Sequence, residues 1–131
     1  AREAIELPAV ALAAQRSAPD GIRLLDAIPA RRGDESGALA HNWQFHAAVI
    51  KLARNALFEL LAHPIFGILE TRFDRSGLDA TYWETIDDEH RQIARLIHSA
   101  DETGAREAMR SHLETVRRTY VGLDSGGGAK S

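Results

Sequence analysis

IDDEHRQIARLIHSADETGAREAMRSHLETVRRTY, residues 86–120, is the stretch that decides the fold. Before Asp101, the residues Ile86, His90, Ile93, Ala94 and Ile97 recur at the three- and four-residue spacing of one helical face. After it, Ala105, Ala108, Met109, His112, Leu113, Val116 and Tyr120 do the same. An aspartate between two such stripes is a helix N-cap, because its carboxylate accepts amide hydrogens that the first turn leaves unpaired. Two amphipathic helices joined by so short a turn fold back antiparallel. His90 lies eleven residues before Asp101 and His112 eleven after. At ~1.5 Å per residue both stand ~16 Å from the turn, at one level of the pair.

Working outward, the same periodicity places six helical segments. They cover residues 1–17, 19–28, 36–54, 56–73, 79–99 and 102–122. Pro8 is expected to kink the first segment, and Pro19 and Pro29 bracket the second. A loop is expected at 30–37. Asn55 reads as the cap between the third and fourth segments. Pro64 is expected to bend or break the fourth, and residues 75–77, Arg-Ser-Gly, to interrupt the chain. No stretch alternates apolar and polar residues at period two for long enough to make a strand, and no repeat is visible. The expected fold is all-α, an antiparallel bundle of about six helices with short connections. Residues 1–123 form its one domain, and the glycine-rich residues 124–131 read as a flexible tail. The chain opens inside a helical pattern with neither a methionine nor a cap, so a further N-terminal part is expected to precede it.

Composition narrows the function classes. At 131 residues and 44% hydrophobic, the chain can bury a core and is not a disordered polypeptide. It has no cysteine, which excludes disulfides, thiolate metal sites and cysteine nucleophiles. Its net charge is −3 with basic residues scattered, unlike a module that grips DNA by itself. No apolar run approaches the ~20 residues of a membrane span, and no signal peptide opens the chain. A reducing, cytoplasmic setting fits.

The histidines carry the chemical signal. In the third segment Asn42, His46, Val49, Ile50 and Ala53 share one face. Three helices therefore each turn one histidine inward: His46, His90 and His112. A single inward histidine is ordinarily a core residue bonded to a carbonyl. Three, two of them at matched depth, suit a shared ion, and neutral imidazoles are ligands for zinc, nickel or copper. His41 is one residue off its face, His63 precedes Pro64, and His98 closes a helix where a cation suits the dipole. These three read as surface or capping residues. There is no His-Glu-x-x-His, no phosphate-cradling glycine loop and no Gly-x-Ser-x-Gly. Glu89 sits about 100° around the helix from His90, poorly placed as a base on the inner face. Acidic residues are missing from the three inward stripes, which turns the reading from hydrolysis toward sensing or structure.

At these residues the chain resembles the effector-binding domain of GntR-type bacterial transcription regulators of the FadR subfamily, the FCD domain. Arg2-Glu3-Ala4-Ile5-Glu6, followed by residues 11–16, Ala-Leu-Ala-Ala-Gln-Arg, resembles that family's first helix. Asn42-Trp43-Gln44-Phe45-His46 resembles its acidic-x-x-Phe-His motif, and Asn55-Ala56-Leu57 its Asn-Pro-Leu. Glu89-His90-Arg91-Gln92-Ile93, then Asp101, then Met109-Arg110-Ser111-His112-Leu113 are the most specific part. The resemblance implies a metal held by one acidic residue and three histidines, which map to Asn42, His46, His90 and His112. Asn42 departs from the pattern, since an asparagine oxygen can ligate but brings no charge. The resemblance further implies zinc, or nickel, as the cofactor, and a small carboxylate effector. Arg2, on the stripe of Ile5, Ala9 and Leu12, matches the first-helix arginine that clamps that effector. A homodimer is implied, with DNA bound only through a winged helix-turn-helix domain missing from this chain, and with no membrane partner. Six helices rather than seven match the smaller, VanR-like subgroup.

Three other readings stay open on sequence alone. One is a metal-free ligand-binding domain of the same fold. Another is a small helical-bundle metalloenzyme, which the lack of an inward carboxylate disfavours. The last is a structural interaction module whose histidines bind nothing.

Overall fold

In the structure, a computed structural model, the backbone is described for residues 2–28, 38–72 and 80–128, and side chains within these except at 27, 38–40, 68–72 and 120–128. The elements are α1 (Arg2–Arg16), a 3₁₀ helix η1 (Ala18–Ala27), α2 (Ala38–Leu52), α3 (Ala56–Arg72), α4 (Ala80–His98) and α5 (Glu102–Gly128). The fold is an all-α bundle, and no strand occurs among the described residues. The expected loop at 30–37, the break at 75–77 and the side chain of Tyr120 lie outside the described residues.

The cap chemistry accounts for the turns. Asp101 Oδ1 accepts the amide of Gly104 at 2.9 Å and starts α5. Before it, α4 closes with Ala100 in the left-handed region (φ 59°) and the Asp101 amide bonded to Leu96 O at 3.0 Å. Between α2 and α3, Arg54 takes the same left-handed conformation (φ 52°). Asn55 Oδ1 then accepts the amides of Leu57 and Phe58 at 3.0 and 3.4 Å. The orphan carbonyls at the end of α2 are met from outside the helix. Ser17 Oγ donates to Leu52 O at 2.8 Å, and Arg16 Nη1 donates to the carbonyls of Ala53 and Arg54 at 3.2 and 3.0 Å.

Three elements depart from the expectation. Residues 18–27 wind as 3₁₀ rather than α-helix. Ser17 spends its hydroxyl on Leu52 rather than as a side-chain cap, and the Asp20 amide bonds to Ser17 O at 2.9 Å. Three residues per turn bring Gly21 and Leu24 onto one buried face against the end of α4. Gly21 is needed there, since a Cβ would stand 2.7 Å from His98 N and 2.9 Å from its Cα. Pro64 lies inside α3 without ending it. The carbonyl it leaves unpaired is that of Leu60, whose residue is 71% exposed, so water can meet it. Finally, α5 continues as helix to Gly128, beyond the 122 expected and into the segment read as a tail. No proline stands there to interrupt the ladder of backbone bonds.

The bundle is organised around α1, which packs against every other helix. Alanines make this possible. Ala9, Ala13 and Ala14 of α1 and Ala105 of α5 are fully buried, so the backbones approach closely. The main core joins Leu7, Val10, Leu24, Phe45, Val49, Ile93, Ile97, Met109 and Leu113. A second cluster, with Ile5, Ala9, Ile50, Ala53 and Ala62, secures α3. A third, Trp83, Ile86 and Val116, covers the other end of the α4–α5 pair. Beside these clusters the core also buries Glu6, His46, Asp87, His90 and His112.

Candidate metal centre

His46 on α2, His90 on α4 and His112 on α5 meet in the core at 0%, 2% and 1% exposure. His112 Nε2 stands 3.1 Å from His90 Nε2 and 3.2 Å from His46 Nε2. The three ligand nitrogens lie within 4.8 Å of one another. Two imidazole nitrogens bound to one ion at ~2.1 Å with angles of ~90–109° would be ~3.0–3.4 Å apart. The two spacings to His112 Nε2 meet that requirement, and three buried imidazoles are a donor set that suits a divalent cation. Phe45, the neighbour of His46 on α2, lies flat on the His90 ring at 3.9 Å and 7° and holds its plane.

The outer nitrogens of two rings face carboxylates. His46 Nδ1 bonds to Glu6 Oε1 of α1, and His112 Nδ1 bonds to Glu89 Oε1 of α4 at 2.7 Å. Thr115 Oγ1 donates to the other Glu89 oxygen at 2.9 Å. Arg2 Nε donates to Glu6 Oε2 at 2.6 Å. Burial opposes ionisation of Glu6, but His46 and Arg2 beside it outweigh burial and hold its carboxyl down at about 2. Burial also lowers His46, to about 4, against the pull of the Glu6 carboxylate. At neutral pH His46 is therefore uncharged, the form in which imidazole binds metals.

Arg2, expected to clamp an effector, is engaged within the fold. Its guanidinium is spent in part on Glu6 and lies over Trp43 and Phe66, 5.5 and 5.9 Å from their ring centres. Arg2 Nη2 is buried and has no hydrogen-bond partner among the described residues, as is Trp43 Nε1. Asn42 lies half-buried one turn before His46 on α2. Trp43 and Phe66 also line a cleft of about 380 Å³ between α2 and α3, together with Ile50, Ala62, Lys51 and Glu59 among others.

Carboxylates nevertheless lie close to the histidines. Glu6 of α1, outside the three inward stripes, and Asp87 of α4 are 1% and 3% exposed. Asp87 lies one turn before His90, at the edge of the inward stripe of α4. Glu89 does not point with His90, as its position around the helix requires, yet its long side chain reaches the outer edge of His112 on the neighbouring helix. Glu6 carried a legible signal: it follows Arg2 by four residues and so shares its inward face. Of the remaining histidines, His63 and His98 are exposed, and His98 Nδ1 lies 3.3 Å from Ala18 O. His41 is half-buried with its Nδ1 unpaired among the described residues.

Comparison with protein families finds the FCD domain over residues 1–115. No curated protein and no solved structure matches the chain significantly.

Proposed function

This chain belongs to the FCD domain family, the C-terminal effector-binding domain of GntR/FadR-type regulators, and we propose that it senses a small organic acid beside a divalent cation in its core. The observation that carries this reading is the convergence of the three buried Nε2 atoms of His46, His90 and His112. These residues would hold the ion, zinc first and nickel second as the family resemblance implies, both being metals that imidazole donors suit. Asn42, one turn from His46, is the fourth candidate ligand, through its amide oxygen. When bound, the cation supplies a buried positive charge that a carboxylate can meet.

The chain's own groups favour an anionic effector. Arg2 Nη2 and Trp43 Nε1 are buried donors without partners, and such donors cost free energy until an acceptor arrives. A carboxylate oxygen is an acceptor of the right kind for both. The aromatic faces of Trp43 and Phe66 exclude water around it. Because Arg2 and Glu6 belong to α1, which packs on every other helix, an effector that draws Arg2 away from Glu6 would shift α1 against the bundle. In the full regulator this shift would pass to a winged helix-turn-helix domain that binds DNA. The chain would act in the cytoplasm as a non-enzymatic homodimer. Among the described residues no helix is long and apolar enough to cross a membrane. Leu57, Leu60 and Leu61 leave an apolar stripe of α3 open to solvent that a second copy could cover.

The test is metal content and calorimetry on chelator-stripped protein without a histidine tag. One equivalent of zinc or nickel bound by the wild type, and lost in His90→Ala, is the expected result. A wild type that takes up neither metal refutes the cation, and carboxylates would then be titrated against the stripped protein. Turnover of any substrate by the loaded protein would overturn the non-enzymatic reading.

A further inference from the structure

We propose that Glu6 and Glu89 are positioning residues for the histidine centre: they lock His46 and His112 with hydrogen on Nδ1 and the lone pair on Nε2, and supply from outside the ligand set the negative charge that Asn42 does not bring. The proposal rests on the cation reading above and extends it to residues that never touch the ion.

The argument is one of donors and acceptors. An ionised carboxylate accepts hydrogen bonds and cannot donate. Glu6 Oε1 is bonded to His46 Nδ1 and Glu89 Oε1 to His112 Nδ1, so each imidazole must be the donor at that nitrogen. In a neutral imidazole the other nitrogen then holds a lone pair. His46 Nε2 and His112 Nε2 face each other at 3.2 Å, both buried. Two acceptors at hydrogen-bond distance with no hydrogen between them repel; a cation shared between them satisfies both, whereas a His90 Nε2–H, 3.1 Å from His112 Nε2, could relieve only the His112 side. The outer carboxylates thus leave two inward lone pairs facing each other, an arrangement that a shared cation satisfies.

Both carboxylates are themselves fixed. Glu6 has its second oxygen on Arg2 Nε at 2.6 Å, and Glu89 has its second oxygen on Thr115 Oγ1 at 2.9 Å. Neither is free to swing inward and become a ligand without breaking that bond. The charge arithmetic completes the case. Three imidazole ligands and an asparagine leave a divalent ion uncompensated; Glu6 and Glu89 bring two negative charges one imidazole away, and Arg2 beside Glu6 offsets one of them, so the surroundings return a net single negative charge. Carboxylate–histidine pairs of this kind raise ligand basicity and orient the ring, and their loss typically costs about 10–100-fold in metal affinity.

The test has two arms. In the first, wild-type protein labelled with ¹⁵N and stripped with chelator is examined at pH 8 by long-range ¹H–¹⁵N correlation of the imidazoles. His46 and His112 are both expected as the Nδ1–H form, the tautomer that leaves each Nε2 lone pair open to a cation. An Nε2–H form as the main species of either ring overturns the proposal. In the second arm, zinc affinity is measured by calorimetry for Glu6→Gln and Glu89→Gln. Each is expected to bind about 10–100-fold more weakly than wild type. Unchanged affinity in both overturns the positioning role while leaving the cation reading intact. A wild type that takes no zinc yet shows both Nδ1–H rings refutes the cation reading and supports the tautomer lock. The first arm uses no variant, so it decides even if Glu6→Gln does not fold.

Discussion

Lowering the pH from 7 to 5 in the presence of chelator is expected to destabilise the bundle through His46. Its value is about 4 in the folded chain against an ordinary 6.5. The direction follows from proton counting. Between 6.5 and 4 the unfolded chain binds a proton at this residue that the folded chain refuses, so stability rises with pH across that window and is complete above it. Over the whole window the contribution is about 3 kcal/mol, at 1.36 kcal/mol per unit. Between pH 7 and 5 the two titration curves give a loss of about 2 kcal/mol. With an m-value near 2 kcal/mol/M, that is a fall of about 1 M in the urea midpoint. The assay is urea unfolding followed by circular dichroism at half-unit steps of pH, on wild type beside His46→Gln. The variant has no group titrating at this position, so its midpoint should vary less with pH, and the difference between the two curves isolates His46. Parallel curves for the two proteins from pH 7 to 5 would refute the reasoning, because the buried imidazole would then be taking up its proton without cost. Below about pH 4.5 the loss should continue through Glu6, whose stabilising ionisation disappears as its carboxyl protonates toward about 2.

Three further outcomes are expected. Zinc at about 100 times its dissociation constant should stabilise the stripped protein by about 2.7 kcal/mol, seen as a rise in Tm by calorimetry that His112→Ala abolishes; no rise in wild type would show that the histidine cluster does not load. Asn42→Asp should tighten zinc binding by adding a charged oxygen one turn from His46, and unchanged affinity in titration calorimetry would remove position 42 from the ligand set. Gly21→Ala should destabilise the fold by about 1–3 kcal/mol in urea unfolding, because its Cβ would meet the His98 backbone at 2.7 Å; a neutral variant would show that η1 is not held against α4.

Much of this was legible along the chain because it depends on neighbours within a turn or two. The stripes around His46, His90 and His112, and the caps Asn55 and Asp101, follow from helical periodicity and from the pairing of first-turn amides. The equal spacing of His90 and His112 from Asp101 placed both at one depth, and their Nε2 atoms meet at 3.1 Å. Other features were not legible. Residues 18–27 have an α-like pattern, yet they wind as a 3₁₀ helix packed against α4. Pro64 is a helix breaker by itself, and its tolerance in α3 depends on the solvent exposure of Leu60.

The amino-acid sequence by itself determined which residues form helices, where most of those helices stop and which three histidines face inward, because backbone pairing, capping and amphipathic periodicity act over a few residues at a time. Only the tertiary structure decided that α1 lies at the heart of the bundle, that Glu6 takes the outer nitrogen of His46, and that Glu89 crosses to His112 on the next helix. Those pairings join residues forty and twenty-three positions apart. Whether a long carboxylate side chain reaches its partner depends on how helices cross, which no local pattern encodes.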